Sequence, residues 1–440
     1  MKFPDGLEWG AATAAYQIDG AAGQDGRGPS IWDTFSHTPG KVRDGDTGDV
    51  ACDSYHRLDD DLALIEWLGL RAYRFSISWA RVLPEGRGAV NRAGLDYYRR
   101  LLHGLAQRGV VPYVTLYHWD LPQALQDLGG WNNRDTADRF GEYVALVAAE
   151  LGDLVPNWIT LNEPWCAAFL GHHTGYHAPG LRSLPAAFDA AHQLLRAHGA
   201  AVAALRASGV SGRIGVTLNL SDVHAATGSE ADRTAAARID AHENRWFLDP
   251  ILRGSYPADL ADHTDLAFVH DGDLAAISAP LDFFGVNYYE QHRVVADPVG
   301  LFGARKLPVE PPLTDGGCGV RPEGLRRILA RVASEYTSLP LYVTENGAAY
   351  RDEPDADGYV QDSARVAYFD AHVRALHDAL ADGVDLRGYF AWSLMDNFEW
   401  AEGYTRRFGI TYVDFPTGAR VPKASGHWYR ALLAANAGTR

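Results

Sequence analysis

The chain alternates short apolar segments with amphipathic helical patterns along most of its 440 residues. The apolar segments are rich in β-branched and aromatic residues, which favours buried β-strands. They lie at 7–12, 72–77, 111–116, 157–161, 213–218, 283–287, 341–344 and 387–392. Because strands that alternate with helices form parallel sheets, these eight segments predict an α/β fold, a single (β/α)8 TIM barrel.

The segments between the predicted strands include helices and long loops. One helical pattern begins near Leu58 and ends at Leu68, with Ser54 as its candidate N-cap. A minimal barrel takes roughly 250 residues, so the surplus predicts long loops over the active face. Stretches rich in Gly, Pro and Asp are the candidates for these loops, and they are 19–56, 171–184 and 296–322.

No stretch of linker composition divides the chain, which predicts that residues 1–440 form one barrel domain. The formal net charge of −16 repels polyanions, and no basic stripe is present, so a nucleic-acid partner is not expected. The sequence beginning at Met1 contains no apolar signal core, and no segment approaches the length of a membrane span. We therefore expect neither a membrane partner nor export.

The three cysteines indicate a reducing environment. Cys52, Cys166 and Cys318 are odd in number and far apart, without a Cys-x-x-Cys motif, so neither a disulfide framework nor a zinc site is indicated. The histidines His172 and His173 lie in a glycine-rich stretch without a carboxylate at ligand spacing. The sequence therefore predicts a cytoplasmic protein with no metal and no cofactor.

Two glutamates occupy short motifs directly after predicted strands. Glu163 lies in Thr-Leu-Asn-Glu-Pro, and Glu345 lies in Val-Thr-Glu-Asn-Gly. The carboxyl ends of barrel strands are where such folds hold their chemistry. Two carboxyl groups facing one pocket can cleave an acetal, because one protonates the departing oxygen and the other attacks or shields the cationic carbon. A glycosidase is therefore the first hypothesis.

Other polar and aromatic side chains follow the same strand ends. Amides, indoles, a histidine and carboxylates are the groups that bind sugar hydroxyls and stack on sugar faces. In chain order they are Gln17, Arg74, His118, Trp119, Asn162, Asn287, Tyr289, Trp392, Glu399 and Trp400. The set as a whole strengthens the glycosidase hypothesis, although no single member is diagnostic.

The order of these motifs closely resembles glycoside hydrolase family 1, the retaining β-glucosidase family. The resemblance covers nearly the whole chain. The segments that carry it are 13–20, 25–33, 73–79, 118–122, 162–164, 285–289, 344–347 and 396–400. It implies a β-glucosidase that acts on a small oligosaccharide or β-glucoside by double displacement, in carbohydrate metabolism such as cellulose degradation.

The resemblance also implies a role for each matching residue. Glu163 would be the acid/base and Glu345 the nucleophile, supported by Arg74 and Tyr289. The implied substrate-binding residues are Gln17, His118, Trp119, Asn162, Asn287, Tyr289, Trp392, Glu399, Trp400 and Phe408. Trp165 and Cys318 would line the leaving-group site. Relatives commonly have tryptophan where this chain has Cys318, so the leaving-group preference of this chain is expected to differ.

The implied roles require particular acid strengths and positions. Glu345 has to be ionised, so Arg74 and Tyr289 are expected to keep its pKa low, whereas an apolar pocket is expected to raise the pKa of Glu163. Retention predicts that the two carboxyl groups lie roughly 5–5.5 Å apart. Pro164 disfavours helical geometry at the preceding residue, which predicts an extended backbone at Glu163.

Several alternatives stay open at this point. A sugar-binding relative without catalysis, a transglycosylase, and a β-galactosidase or β-fucosidase share most of these residues. A thioglucosidase is disfavoured because Glu163 is present where that branch carries glutamine. A 6-phospho-β-glycosidase is disfavoured because the chain keeps Glu399 and is acidic overall. The oligomeric state is left open.

Overall fold

The computed structural model describes residues 1–437, whose central feature is a closed barrel of parallel strands. The barrel strands are β1 (Glu8–Ala12), β2 (Ala72–Ser76), β3 (Val111–Thr115), β4 (Asn157–Asn162), β5 (Arg213–Asn219), β7 (Phe283–Asn287), β10 (Leu341–Asn346) and β11 (Leu386–Trp392). The remaining strands are β6 (Asp222–Ala225), β8 (Gln291–Ala296), β9 (Ala304–Lys306), β12 (Thr411–Asp414) and β13 (Ala419–Pro422). The predicted (β/α)8 barrel is confirmed, with strand positions that agree to within two residues.

The barrel closes in the order β1-β11-β10-β7-β5-β4-β3-β2. Nearly every residue of these strands is buried, which explains why they appear in the sequence as continuous apolar runs. Strands β6, β8 and β9 form a separate small sheet, and β12 pairs with β13 in an antiparallel ribbon. All eight barrel strands run in one direction, so their carboxyl ends meet at one face.

Helices occupy the segments between the barrel strands and after the last one. They are α1 (Ala15–Ile18), α2 (Ile31–Ser36), α3 (Leu58–Leu68), α4 (Trp79–Val82), α5 (Arg92–Gln107), α6 (Gln123–Gln126), α7 (Asp135–Leu151), α8 (Leu184–Ala207), α9 (Glu230–Asp240), α10 (Trp246–Arg253), α11 (Asp273–Ile277), α12 (Pro322–Arg331), α13 (Ser363–Ala381) and α14 (Ala424–Ala435). Across residues 1–437, no helix combines the length and apolar character that crossing a membrane requires.

The predicted N-cap residue of α3 is wrong. The helix begins after Arg57, so Ser54 lies a full turn upstream of the position where a cap would act. Three aspartates, Asp59, Asp60 and Asp61, fill the first turn instead. Their charges interact favourably with the positive end of the helix dipole.

All three predicted long loops contain regular structure. The stretch 19–56 includes α2, and the stretch 296–322 includes β9, which pairs with β8 in the small sheet. The stretch 171–184 begins inside the π-helix Cys166–Thr174, which follows β4 directly. These segments follow the carboxyl ends of β1, β4 and β7, and the stretch 296–322 contributes Lys306 and Cys318 to the wall of a cavity.

A buried ion cluster holds the segment after β11 in place. Lys423, which has no exposed surface, donates from Nζ to Asp396 Oδ1 at 2.6 Å and also contacts Asp352. The other oxygen of Asp396 accepts from Arg407 at 2.6 Å, and Asp352 pairs with Arg365 at 2.8 Å. The cluster therefore connects the start of α14 to the segment that leads to Glu399.

Replacing Lys423 by methionine is expected to lower the free energy of unfolding by about 3–5 kcal/mol, because Asp352 and Asp396 lose a buried cationic partner. Denaturant-induced unfolding followed by tryptophan fluorescence measures this. The matched control is Arg326→Met, since Arg326 pairs with Asp382 while 44% of its side chain is exposed. Surface pairs contribute about 0–1 kcal/mol. Equal stability of the two variants would contradict the prediction.

Candidate active site

One cavity of about 330 Å³ opens at the carboxyl ends of the barrel strands and contains both glutamates. Its volume lies within the range of small-molecule sites, about 300–1,000 Å³. The sequence-predicted residues that line it are His118, Trp119, Glu163, Trp165, Asn287, Tyr289, Cys318, Glu345, Trp392, Glu399, Trp400 and Phe408. The other three, Gln17, Arg74 and Asn162, are each hydrogen-bonded to a lining residue. The structure thus brings together the whole predicted set.

Glu345 is held by an arginine and a tyrosine. It is the penultimate residue of β10 and only 3% exposed. Arg74 Nη1 donates to Glu345 Oε1 at 2.6 Å, and the Tyr289 hydroxyl donates to Oε2 at 2.8 Å. Arg74 projects from β2 and also donates to Asn162 Oδ1 at 2.5 Å. The guanidinium is therefore held across the barrel by contacts with residues of β10 and β4.

Glu163 is held by neutral groups. It is the first residue after β4 and is 5% exposed. Asn287 Nδ2 donates to Glu163 Oε1 at 2.7 Å, and the Cys166 thiol donates to Oε2 at 3.3 Å. Because an amide and a thiol stabilise a carboxylate less than a guanidinium does, Glu163 holds its proton more strongly than Glu345.

The backbone at Glu163 is not extended, so that prediction is wrong. Its φ is 44°, in the left-handed region, because the chain turns from β4 straight into the π-helix and Cys166 N donates to Glu163 O at 3.0 Å. Trp119 and Trp400, which line the same cavity, also have positive φ of 77° and 48°. Residues held in this conformation carry strain, and such strain clusters at functional sites.

Burial has the largest effect on the pKa values of the two glutamates in the cavity. It raises the pKa of Glu163 to about 8, with a further contribution from the charge of Glu345. This agrees in direction with the sequence-based expectation. Burial also raises the pKa of Glu345, although the charge and hydrogen bond of Arg74 and the Tyr289 hydroxyl oppose it. The expectation that the pKa of Glu345 stays low is therefore wrong in direction, because burial outweighs its partners.

A chain of two amide groups connects Glu163 to His118. Asn287 donates to both Glu163 and Asn162, and Asn162 Nδ2 lies 3.0 Å from His118 Nε2. Burial, together with the charge of Arg74, lowers the pKa of His118 well below its usual range, so the ring is neutral. Nε2 then accepts from Asn162, and the Nδ1 proton, which has no partner among the described residues, can be donated to a ligand.

The amide contacts bear on the substrate-binding role predicted for Asn287. Both of its amide hydrogens are donated to protein groups, and its oxygen accepts from Thr344 at 2.8 Å. A direct contact between Asn287 and a sugar stays a prediction. The observed contacts instead make Asn287 a residue that orients Glu163.

Gln17 and Glu399 form a second polar pair in the cavity. Gln17 Nε2 donates to Asn397 Oδ1 at 2.9 Å and lies 3.3 Å from Glu399 Oε2. Within residues 1–437, the buried oxygen Gln17 Oε1 has no hydrogen-bond partner. Burial, and then the charges of Glu345 and Glu163, raise the pKa of Glu399 to about 8. The pair therefore offers an amide oxygen and a carboxyl group to hydroxyls of a ligand.

Aromatic rings form much of the remaining wall. Trp392 stacks on His118 with ring centroids 5.9 Å apart, and Trp400 lies 4.6 Å from Trp119. Phe408 meets Tyr289 edge to face at 6.2 Å. Flat apolar rings beside polar groups are the combination that binds sugars, whose faces are apolar and whose rims carry hydroxyls.

The sequence analysis missed several residues that line the cavity. Cys166 contacts Glu163, and Glu290 contacts Cys318. Both lie within three residues of predicted site residues, and that proximity was the available signal. The others are Leu170, Asn219, Leu220, Ser221, Glu243, His292 and Lys306. They come from segments without a recognisable motif.

In the described part of the chain, His, Cys, Asp and Glu side chains form no group of three or more that could hold a metal ion. His172 lies in the π-helix, where Nδ1 is 3.1 Å from Ala167 O.

Comparison with known proteins identifies relatives over nearly the full length. The family profile described as "Glycosyl hydrolase family 1" matches residues 1–438. Beta-glucosidase A of Thermotoga maritima is 48% identical over 99% of this chain and 98% of its own length. Thermostable beta-glucosidase B of Thermobispora bispora is 51% identical over 99% and 91%. The solved structure of a family 1 β-glucosidase from Thermotoga maritima superposes with a TM-score of 0.97 at 48% identity, covering 100% of this chain and 99% of that one.

Proposed function

The chain belongs to glycosyl hydrolase family 1, and on that premise we propose that it is a retaining β-glucosidase. It hydrolyses terminal non-reducing β-D-glucosyl residues of oligosaccharides or of aryl and alkyl β-glucosides. The observation that carries this proposal is the pair of buried carboxyl groups in one cavity with different partners. Glu345 contacts a guanidinium, whereas Glu163 contacts an amide and a thiol.

The different partners support different roles for the two glutamates. Glu345 ionises first, so its carboxylate attacks the anomeric carbon while Glu163 donates its proton to the departing oxygen. The glycosidic C–O bond breaks, and an ester to Glu345 forms. Glu163, now ionised, removes a proton from water, whose oxygen displaces Glu345 and regenerates both groups. Two inversions give net retention, and the predicted carboxyl separation of roughly 5–5.5 Å stays a prediction.

The remaining cavity groups support binding of the glucosyl ring. Among residues 1–437, His118 Nδ1 and Gln17 Oε1 have no hydrogen-bond partner, so they supply a donor and an acceptor for sugar hydroxyls. Glu399 adds a carboxyl group, and Trp392 and Trp400 add apolar faces. Because all of these groups are buried, each hydrogen bond to the sugar is formed with little competition from water.

A panel of 4-nitrophenyl β-glycosides that differ only in the sugar tests the substrate class. The glucoside is expected to give the highest kcat/KM, and proton NMR of its hydrolysis is expected to show β-glucose as the first product. If a galactoside or a fucoside is clearly preferred, the activity is that of a β-galactosidase or a β-fucosidase instead of a β-glucosidase. Appearance of α-glucose first would contradict the retaining mechanism.

The pH dependence of kcat/KM is expected to follow Glu163 on its alkaline side. The general acid has to be protonated in the free enzyme, so with a pKa of about 8 the value of kcat/KM falls as pH rises through 8. Initial rates with 4-nitrophenyl β-glucoside across the pH range measure this. Two further pH profiles distinguish the titration of Glu163 from that of Glu399: one with an activated 2,4-dinitrophenyl glucoside, and one with the Glu163→Ala variant. If kcat/KM still falls at alkaline pH in these profiles, the fall belongs to Glu399.

Cys318→Trp is expected to shift leaving-group preference toward aryl glucosides and to tighten inhibition by glucose. Cys318 lines the cavity, and an indole there would add a stacking wall worth about 1 kcal/mol, several-fold in affinity. Glucose inhibition constants and kcat/KM with alkyl and aryl glucosides measure the shift. If both are unchanged in the variant, position 318 does not contact the leaving group.

We also propose that the natural substrates are short β-glucosides such as those released from cellulose, and that the protein acts in the cytoplasm. Support for a reducing compartment comes from the cysteines. Cys52, Cys166 and Cys318 are all free thiols, and two of them are buried. Hydrolysis of cellobiose by the purified protein, and fractionation of its host cells, test these two statements.

A further inference from the structure

Five side chains form a connected charged group in the wall of the cavity, here named the rim cluster: Glu243, Glu290, His292, Lys306 and Cys318. The Cys318 thiol donates to Glu290 Oε1 at 2.9 Å, and His292 Nε2 lies 3.2 Å from Glu290 Oε2. Lys306 Nζ lies 3.0 Å from the same His292 nitrogen and also contacts Glu243. His292 lies on β8 and Lys306 on β9, which pair in the small sheet, whereas Glu290 directly precedes β8 and Glu243 lies in the π-helix Ala241–Arg245.

The rim cluster lies on the side of the cavity where Glu163 acts. Cys166 donates to Glu163, and the charge of Glu290 is among the causes, after burial, that raise the pKa of the Cys166 thiol. Trp165, which directly follows Pro164, packs edge to face on His242 with ring centroids 5.7 Å apart, and the next residue along the chain is Glu243 of the rim cluster. The acid of a glycosidase faces the departing oxygen, so groups beside Glu163 face the leaving group. Gln17 and Glu399 interact at a separate part of the cavity, which is left for the glucosyl ring.

Glu290 is ionised and can accept more hydrogen bonds than the protein donates to it. Burial opposes its ionisation, but the hydrogen bond and charge of His292, with the Cys318 thiol, outweigh it and lower the pKa of Glu290 to about 2. Each carboxylate oxygen accepts one protein donor, which fixes the group in place. A carboxylate has about four acceptor positions, and 40% of the Glu290 side chain is exposed, so it can accept further hydrogen bonds from a ligand.

We infer that Glu290 accepts hydrogen bonds from hydroxyl groups of the leaving group and so selects a sugar as leaving group over an apolar aromatic ring. The inference rests on the proposed β-glucosidase function and specifies its substrate class. A sugar replaces the water around Glu290 with hydroxyl donors, whereas an aryl ring removes that water and offers no donor in return. The small thiol of Cys318 beside Glu290 leaves this carboxylate facing the cavity.

The test is the ratio of kcat/KM for cellobiose to kcat/KM for 4-nitrophenyl β-glucoside. Both substrates share the glucosyl ring, so the ratio isolates the leaving group. In Glu290→Gln, which keeps the side-chain volume but removes the charge, the ratio is expected to fall about tenfold. Glu310→Gln is the matched control, because 67% of that side chain is exposed and it pairs with Arg293, three residues after Glu290. Its ratio is expected to equal that of the unmodified protein.

The outcomes separate this inference from the proposed function. An unmodified protein that hydrolyses neither substrate overturns the proposed function. Hydrolysis of both with an unchanged ratio in Glu290→Gln overturns only the selection by Glu290. A ratio that also falls in Glu310→Gln assigns the effect to the loss of any negative charge in this region and equally overturns the role of Glu290.

A second measurement uses the unmodified protein and does not depend on how well a variant folds. The enzyme is trapped as its 2-deoxy-2-fluoroglucosyl ester, and reactivation is followed with methyl β-glucoside or benzyl alcohol as acceptor. The acceptor occupies the leaving-group site, so the sugar is expected to reactivate the enzyme at about tenfold lower concentration than the aromatic alcohol. Benzyl alcohol acting at an equal or lower concentration than the sugar would overturn the inference.

Discussion

Glu345→Gly is expected to abolish turnover of every β-glucoside, with kcat lowered by about 10⁴-fold to 10⁶-fold. The variant removes the carboxylate that forms the covalent ester, while Arg74 and Tyr289, which hold that carboxylate, remain in place. Stopped assays with 2,4-dinitrophenyl β-glucoside over hours measure the residual rate. Glu142→Ala serves as the control, because 60% of the Glu142 side chain is exposed on the outer helix α7.

Rescue of the variant by azide tests whether the group removed was the nucleophile. In Glu345→Gly, a small anion can enter the space left by the carboxylate, beside the Arg74 guanidinium, and attack the anomeric carbon from that side. The product is expected to be the α-glucosyl azide, which NMR distinguishes from its β anomer. A variant that keeps substantial activity without azide, or a β-azide product, would show that Glu345 is not the nucleophile.

Glu163→Ala is expected to cause the second largest loss, and the size of the loss is expected to depend on the leaving group. Alkyl glucosides and cellobiose need a proton on the departing oxygen, so kcat/KM for them should fall by about 10²-fold to 10⁴-fold. The formation of the covalent ester from 2,4-dinitrophenyl glucoside needs little protonation and should be nearly unaffected. A plot of log(kcat/KM) against leaving-group pKa is therefore expected to be steeper in the variant.

The same variant gives a complementary azide product. With Glu163 absent, azide attacks the ester on Glu345 from the side where water normally enters, and the β-glucosyl azide is expected. An equal loss for good and poor leaving groups would mean that Glu163 does not act as the acid. The same azide anomer from both variants would contradict the assignment of the two roles.

Much of the fold could be predicted because it depends on local patterns. The eight barrel strands are apolar runs of β-branched and aromatic residues, and burial on both faces makes such runs visible without knowledge of their neighbours. The capping residue of α3 could not be predicted in the same way. A helix start depends on where the preceding loop delivers the chain, and here the loop continues to Arg57, past Ser54.

The members of the candidate site were also largely predictable. Parallel strands place their carboxyl ends at one face, so a polar residue that follows a strand has to lie near the others. That rule places Glu163 and Glu345 in one cavity without further information. It does not extend to Glu243 or Lys306, which belong to the π-helix Ala241–Arg245 and to the three-residue strand β9.

The sequence by itself determined the barrel, the family resemblance and the identity of the two glutamates, because each depends on residue types in order along the chain. The tertiary structure decided how those residues behave. The left-handed backbone at Glu163 follows from the turn into the π-helix, and both amide hydrogens of Asn287 are used by groups on β4 and just after it. The raised pKa of Glu345 is also a consequence of the tertiary structure. Burial causes it, and burial depends on every segment that covers the cavity, which meet only in the folded chain.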